Sequence, residues 1–447
     1  MRGWAVEALA AAAGARLDAP PREGRGPEHV TIDSRAAGPG DLFVGLPGTS
    51  SDGGAFAAEA IDAGAWGALV SPEHAERAKA AGGAVLVAER PLEALGRLAR
   101  GWRRELGCVV IGVTGSVGKT STKDVLAALL APHRRTHASE GNFNTEIGMP
   151  LSILAAERGT EVMVLELAMR GPGQIAGLCE IAEPEVGVIT AIAAAHLEQL
   201  GTLEAIAAEK GALIAALPGH GTAVVPAGEA LLEPHLRADV RTVSFGAGGD
   251  VTLERFDGGV ARIDAAGEHV ELELPFRQPY NVANTLAAVA AARAVGVLPG
   301  GRPDVELSGM RGEEHELPGG VVLIDDCYNA NPTSMRAALD HLAALAAGRR
   351  VAVLGDMLEL GARELEFHAQ MGRYAAECGV ELLVAVGPRA GVIADAFDGP
   401  SRRVPDAAAA ALLVPELVRA GDTVLVKASR GIALEAVAEA LRREHVR

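Results

Sequence analysis

Runs of β-branched and other apolar residues punctuate the chain. Val109, Val110, Ile111 and Val113 form one; "VMVLELA" (162–168), "VGVIT" (186–190), "VVLID" (321–325), "VAVLGD" (351–356), "LLVAVG" (382–387) and "TVLVKAS" (423–429) repeat the texture. Such unalternated runs predict strands buried on both faces, as in parallel sheets. Between them lie longer stretches of helical composition, including "PLEALGRLARGWRREL" (91–106) and Thr120 to Leu130, the latter closed by Pro132. Two regions differ. Residues 1 to 90 carry shorter strand-like pieces, "HVTIDSR", "GDLFVGL" and "WGALV", beside a helix-like "FAAEAIDAGAW". Between about 221 and 275 the texture changes to "VTLERFDGGVARIDAAGEHVELEL", alternating segments separated by Asp257-Gly258 and Ala266-Gly267, the signature of antiparallel hairpins. The pattern predicts an α/β protein of three domains. A small mixed domain spans 1–90, a central parallel-sheet domain with a side β-sheet spans 91–312, and a Rossmann-like domain spans 313–447; "LPGGRPD" (298–304) is the best linker signal. No G-x-G-x-x-G follows the strands of the third domain, so a dinucleotide is not indicated there.

Length agrees with this division, since 447 residues suggest about three domains. The formal net charge of −17, with no run of Lys or Arg, excludes general attraction to nucleic acid or anionic membranes; any anionic ligand needs a local basic site. Cys108, Cys179, Cys327 and Cys378 are scattered without C-x-x-C spacing, which predicts reduced thiols and a cytoplasmic protein. Arg2 and the alanines of "MRGWAVEALAAAAGA" mimic a signal peptide. Glu7 interrupts the run, however, and a short amphipathic helix is expected instead. No stretch of about 18 strongly apolar residues predicts a membrane span.

The candidate chemistry begins at "GVTGSVGKTSTKDVL" (112–126). A buried strand, two glycines and a helix put backbone amides at a helix N-terminus, where an anion is favoured. Thr114, Gly115, Ser116, Val117, Gly118, Lys119, Thr120 and Ser121 form this phosphate loop, with Lys119 reaching the outer phosphates and the Thr120 hydroxyl suited to magnesium. The first glycine of the usual pattern is displaced, since Val occupies 113. Glu166 emerges at the end of the neighbouring apolar strand, where a carboxylate suits the same hard cation.

Other polar groups gather at predicted strand ends and helix starts. "EGNFNTEIGMP" packs Asn142, Asn144 and Thr145 into one loop, as phosphate or water ligands or as ordinary turn and cap residues. His196 and Lys210 follow the strand at 186–190; alone, the histidine reads as structural and the lysine as a solvated helix residue. Beside magnesium an ammonium is tolerable only if neutralised or carbamylated. Asn281 and Asn284 lie three apart at the start of a helix, with capping as the alternative. "DDCYNANPTSM" places Asp326, Tyr328, Asn329 and Asn331 beyond a buried strand, and Asp356, Lys427, Ser429 and Arg430 end two more. Strand carboxyl ends are where α/β sheets bind ligands, and an arginine fork suits a carboxylate or phosphate.

Taken in order, "DSR…PGDLFVGLPG…DGGAF", "TGSVGKTSTKD", "GNFNTEIGMP", "AHLEQLGTLEAIAAEK", "DDCYNANPTSM", "LGDMLELG" and "LVKASR" resemble the Mur ligase family over nearly the whole chain. "YNANP" points to the branch that adds a dipeptide, and the Asp-Asn-Pro-Arg signature of diaminopimelate selection is absent. The resemblance implies ATP-dependent ligation of D-alanyl-D-alanine to UDP-N-acetylmuramoyl-tripeptide through an acyl phosphate, a cytoplasmic step of peptidoglycan precursor synthesis. A ligase of the same architecture adding one amino acid or glutamate is the alternative. The implied cofactors are ATP and two Mg2+ ions; no nucleic acid or membrane insertion is implied, and a monomer is expected. By carry-over, Lys119 holds the β and γ phosphates, Thr120 and Glu166 bind one magnesium, His196 a second, and Lys210 matches a carbamylated lysine. Asn281 and Asn284 approach adenine; Arg311 and Asp326 the phosphates and ribose; Tyr328, Asn329, Asn331, Lys427, Ser429 and Arg430 the nucleotide or dipeptide; Ser34 and Arg35 the uridine diphosphate. Tyr280, Ala168, Gln174, Gly54 and Ala428 stand where the family usually has His, Gly, Glu, His and Gly.

Overall fold

The computed structural model describes residues 3–21, 26–49 and 51–445. The expected N-terminal helix is present as Val6–Ala13, while Arg2, on which the signal-like reading turned, lies outside the described residues. No helix among the described residues is long and apolar enough to cross a membrane.

Three sheets follow one another along the chain. The first has five strands in the order Arg16–Ala19, Ala84–Val87, Gly67–Val70, Asp41–Val44, His29–Thr31, parallel except for the first pair. The second has nine. Its parallel part runs Thr136–Ala138, Val162–Glu166, Val109–Thr114, Val186–Ile189, Thr222–Pro226, Arg241–Phe245. The hairpins expected between about 221 and 275 begin only at residue 251; Thr222–Pro226 and Arg241–Phe245 belong to the parallel part, and the antiparallel strands are Val251–Asp257, Val260–Ala265 and Glu268–Glu273. They do not stand apart as a separate side sheet. A single pair, Phe245↔Val251, joins them to the edge of the parallel strands, because alternating burial needs only one covered face while the inner strands need two. The third sheet runs Glu313–Leu317, Val321–Asp326, Thr423–Lys427, Arg350–Gly355, Leu382–Val386, Ser401–Val404, with only its first strand antiparallel. Thr423–Lys427 is inserted between two strands that are consecutive in sequence. Its neighbours' carboxyl ends therefore open onto a crevice, the usual ligand position in such sheets.

The first two sheets share one core. Helix Pro91–Leu106 buries Leu95, Leu98 and Trp102 between Leu9, Leu42 and Leu86 on one side and Met149, Ile153 and Leu178 on the other. Trp102 is fully buried, packs on Trp4 with ring centroids 5.4 Å apart, and donates Nε1–H to Ala156 O at 2.9 Å. The C-terminal sheet has its own clusters on its two faces. It meets the rest through few contacts: Gln278 Nε2 donates to Glu314 Oε1 at 2.8 Å, the Glu198 amide donates to Glu359 O at 3.2 Å, and Ala194 and Leu197 pack against its core.

Candidate active site

Strand pairing puts the phosphate loop where its chemistry needs it. Val113 pairs with Glu166 on one side and Thr114 with Ile189 on the other, so the loop leaves the middle of the sheet with a carboxylate beside it. Gly115 (φ +149°) and Gly118 (φ +83°) are sterically required: a Cβ on Gly115 would lie 1.9 Å from Thr190 Oγ1, and one on Gly118 would lie 2.3 Å from Asn284 Oδ1. Thr190 also donates to the Val117 carbonyl at 2.5 Å, and Ser116 Oγ donates to Ala193 O at 3.0 Å, so the strand at 186–189 clamps the loop from behind. Thr190 was not singled out in the sequence; only the register shows it.

Helix Lys119–Leu130 starts at the loop, one residue earlier than the sequence predicts. Lys119 Nζ donates to the Gly115 carbonyl at 2.9 Å and so curls over the loop. Burial pulls its pKa down, Glu166 opposes that, and the Arg311 guanidinium adds to it. Thr120 Oγ1 lies 2.7 Å from Glu166 Oε2, and Asn144 Nδ2 donates to Glu166 Oε1 at 2.8 Å. With Glu166 nearly fully buried at the cleft wall, a hydroxyl and a carboxylate converge as the hard oxygen donors that magnesium prefers.

Lys210 departs from the reading of a solvated helix residue. It sits in Leu203–Ala216 with 1% exposure, and burial, with the Lys119 ammonium adding, holds its amine well below the ordinary lysine range. His196 has φ +60° and flanks the short helix Leu197–Leu200. Its Nδ1 lies 2.5 Å from Glu359 Oε2 of the C-terminal domain, a close polar contact without good hydrogen-bond alignment. That partner is also absent from the sequence reading.

A cleft of about 1090 Å³ unites the three domains. Ser116 to Ser121, Asn142, Asn144, Thr145, Glu166, His196, Asn284 and Arg311 line it from the central domain, and Asp326, Tyr328, Asn329, Asn331, Lys427, Ser429 and Arg430 from the C-terminal one. Lys427 is 2% exposed and reaches Asp326 Oδ2 at 2.6 Å and Asn329 O at 3.0 Å. The Arg311 guanidinium lies 3.7 Å from the Tyr328 ring centroid and that of Arg430 lies 6.0 Å away, so two cations gather around one aromatic ring. Asn281 is fully buried behind Asn284, whose Nδ2 donates to Asn281 Oδ1 at 3.3 Å. Neither caps its helix, which begins after Gln278 without a side-chain cap. Tyr280 lines the cleft with its hydroxyl buried and without a partner, its ring edge-on to His341.

Some sequence candidates have structural duties instead. Asn331 caps helix Pro332–Leu345 through a reciprocal capping box with Ser334, although its residue borders the cleft. Asp356 lies outside the cleft lining and accepts the Arg389 and Ala390 amides at 3.0 and 2.6 Å. Arg35 is paired with Asp33 at 2.8 Å and its side chain is 88% exposed; neither it nor Ser34 lines the cleft, where Thr31, Ile32 and Asp33 stand instead. Gly54 occupies a position where a Cβ would meet His74 Cδ2 at 2.2 Å, so the imidazole at this place comes from residue 74. Ala168 gives its amide to Asn144 O at 2.9 Å, and Gln174 Oε1 accepts the Arg170 amide at 2.5 Å. All four cysteines are free thiols.

Three family descriptions match the chain: the Mur ligase family catalytic domain over 28–103, the Mur ligase middle domain over 113–292 and the Mur ligase glutamate ligase domain over 310–430. The chain belongs to the Mur ligase family. Among this Mur ligase's relatives is the UDP-N-acetylmuramoyl-tripeptide–D-alanyl-D-alanine ligase of Synechocystis sp., 36% identical over 426 residues that cover 93% of this chain and 92% of that protein. The protein of the same name from Bacillus subtilis is 34% identical, covering 92% of each chain. MurF from Acinetobacter baumannii superposes on this Mur ligase with a TM-score of 0.88 at 29% identity and covers 99% of both chains. MurF from Thermotoga maritima, solved in complex with ADP, gives 0.80 at 31% identity, covering 94% of this chain and 98% of that one.

Proposed function

We propose that this Mur ligase joins D-alanyl-D-alanine to UDP-N-acetylmuramoyl-tripeptide at the expense of ATP, in peptidoglycan precursor synthesis. One observation carries the reading: a phosphate loop with an adjacent Thr120–Glu166 oxygen pair faces, across one cleft, the polar strand ends of a third domain. A carboxylate oxygen of the tripeptide attacks the γ-phosphorus, the bond from phosphorus to the ADP oxygen breaks, and an acyl phosphate forms. The dipeptide amine then attacks the acyl carbon. The tetrahedral intermediate expels phosphate, and the amine proton is lost to solvent or a base. Little covalent work falls to the protein, so rate comes from positioning and from neutralising charge that moves between oxygens.

Lys119 and the amides of 115–120 hold the β and γ phosphates, and the fit of Thr120 and Glu166 supports them as holders of magnesium, which when bound neutralises phosphate charge. His196 would offer Nε2 to a second ion, since Nδ1 faces Glu359. Burial lowers the Lys210 pKa and so favours the neutral amine that can add CO2; that addition loses a proton and gains carbamate oxygens that would serve as metal ligands. Asn284, Arg311 and Asp326 face the nucleotide, and Tyr328, Asn329, Lys427, Ser429 and Arg430 the nucleotide or dipeptide. The N-terminal domain, divided from the rest near residue 90, offers Thr31 to Asp33 toward the uridine nucleotide, with Ser34 and Arg35 at the margin; a second division lies near 312. A monomer remains the expected acting unit, and dependence on ATP supports a cytoplasmic location.

Incubation with ATP, the tripeptide nucleotide and either D-alanyl-D-alanine or single amino acids tests the assignment. Phosphate release and a product of the dipeptide adduct's mass are expected only with the dipeptide. Turnover only with a single amino acid would replace the reading by the single-residue alternative.

A further inference from the structure

The loop after strand Arg350–Gly355 is held one amide at a time. The Met357 amide donates to His368 Nε2 at 2.9 Å, and the Leu358 amide donates to Ser429 Oγ at 2.9 Å. The next residue, Glu359, has φ +63°, accepts the Glu198 amide through its carbonyl at 3.2 Å, and brings its carboxylate to 2.5 Å from His196 Nδ1. Left-handed backbone at a glutamate persists only where surroundings over-determine it. His368 is the buried part of those surroundings. It is fully buried in helix Glu364–Glu377, and its Nδ1 lies 2.6 Å from Glu364 O, four residues back.

Chemistry fixes the state of this ring. A carbonyl only accepts, so Nδ1 carries the proton; a backbone amide only donates, so Nε2 is the acceptor. His368 is therefore the neutral Nδ1–H tautomer, locked at both nitrogens and aimed at a single amide.

We propose that His368 and Glu359 act together as positioning residues for ligation: His368 fixes the strand-end loop, and the loop delivers Glu359 across the domain boundary to orient His196 at the cleft. Neither residue acts on the substrate. The pair makes a correctly turned His196 conditional on docking of the C-terminal domain, since the carboxylate comes from that domain and the imidazole from the central one. This rests on the ligase reading above.

The test uses the full chain. In His368→Asn the side chain is too short to reach the Met357 amide, whereas in His368→Gln an amide oxygen can stand where Nε2 stood. We expect His368→Asn and Glu359→Ala each to lower kcat roughly tenfold or more, because a misplacement of about 1 Å can cost 10²-fold. The KM for ATP should stay within about twofold, and the double variant should be no worse than the poorer single one. His368→Gln should recover most of kcat, and exchange of the Met357 amide should speed up in His368→Asn alone. Additive losses, or unchanged kcat in a folded His368→Asn, overturn the proposal. If His368→Asn does not fold, Glu359→Ala decides, because its partly exposed side chain can be removed without a core defect; unchanged kcat there overturns the proposal equally. Failure of the wild-type chain to make product with any acceptor overturns the ligase reading instead.

Discussion

Glu166 illustrates how far a single residue can be read. Its type and its place at the end of an apolar run suggested a metal ligand, and strand register put Thr120 2.7 Å from it. Lys119→Ala should abolish ligation while leaving the fold intact by circular dichroism; product at the wild-type rate would break the loop assignment. Lys210 shows the opposite case. On its own residues it read as a solvated helix lysine and only the resemblance marked it for the site; the packing of Leu203–Ala216 against the central sheet leaves it 1% exposed. Lys210→Ala should lose activity and recover part of it with a short carboxylic acid, since the acid can restore the oxygens of a carbamate; a fully active variant would defeat the carbamate assignment. Tyr328 and Arg430 were legible as polar residues near strand ends and Arg311 only through the resemblance, but the gathering of both arginines around the Tyr328 ring was not, because nothing local records a neighbour distant in sequence.

At the scale of elements, buried strands and the helices after them were legible because a continuous apolar run has few other solutions. The phosphate loop was legible because its glycines are local requirements. Gly118→Ala forces a Cβ into left-handed backbone and to 2.3 Å from Asn284 Oδ1, so ATP affinity should fall by at least about tenfold, allowing for ~1–2 kcal/mol of strain. Isothermal titration with a non-hydrolysable analogue measures it; unchanged affinity would mean the loop does not hold the nucleotide. What sequence could not separate was a cap from a ligand. Asn331 turned out to cap and Asn281 and Asn284 did not, a distinction set by where each helix begins.

Two buried histidines also belong to this scale. Burial pushes the pKa of His137 and His368 down, so the unfolded chain binds protons that the native one refuses. Their stabilising contribution is complete above the unfolded value of about 6.5 and is lost as pH falls from there toward the lower native values. Urea midpoints should therefore drop between pH 7.5 and 5.5, and His368→Gln should reduce that drop. A midpoint that is flat or rises over this range would contradict the burial of neutral rings.

Across the whole molecule, the first two sheets share a core through Trp102, and the third meets them through a few polar contacts, the packing of Ala194 and Leu197, and the cleft. The N-terminal and central domains should thus unfold as one unit. Trp102→Ala, which removes the ring from that shared core, should cost about 3–5 kcal/mol in their common transition. Ligation requires ligands from separate domains to meet, so closure of the C-terminal domain around substrates is expected. None of this interdomain geometry was legible in sequence. His196 and Glu359 lie 163 positions apart, and neither carries a local sign of the other.

The central claim is that ATP's terminal phosphoryl group passes to the tripeptide's carboxylate before the amine attacks. Tripeptide nucleotide labelled with 18O in that carboxylate tests it in one turnover, read by mass spectrometry of the released phosphate. The account predicts one labelled oxygen in each phosphate; phosphate carrying no label from the carboxylate would contradict it.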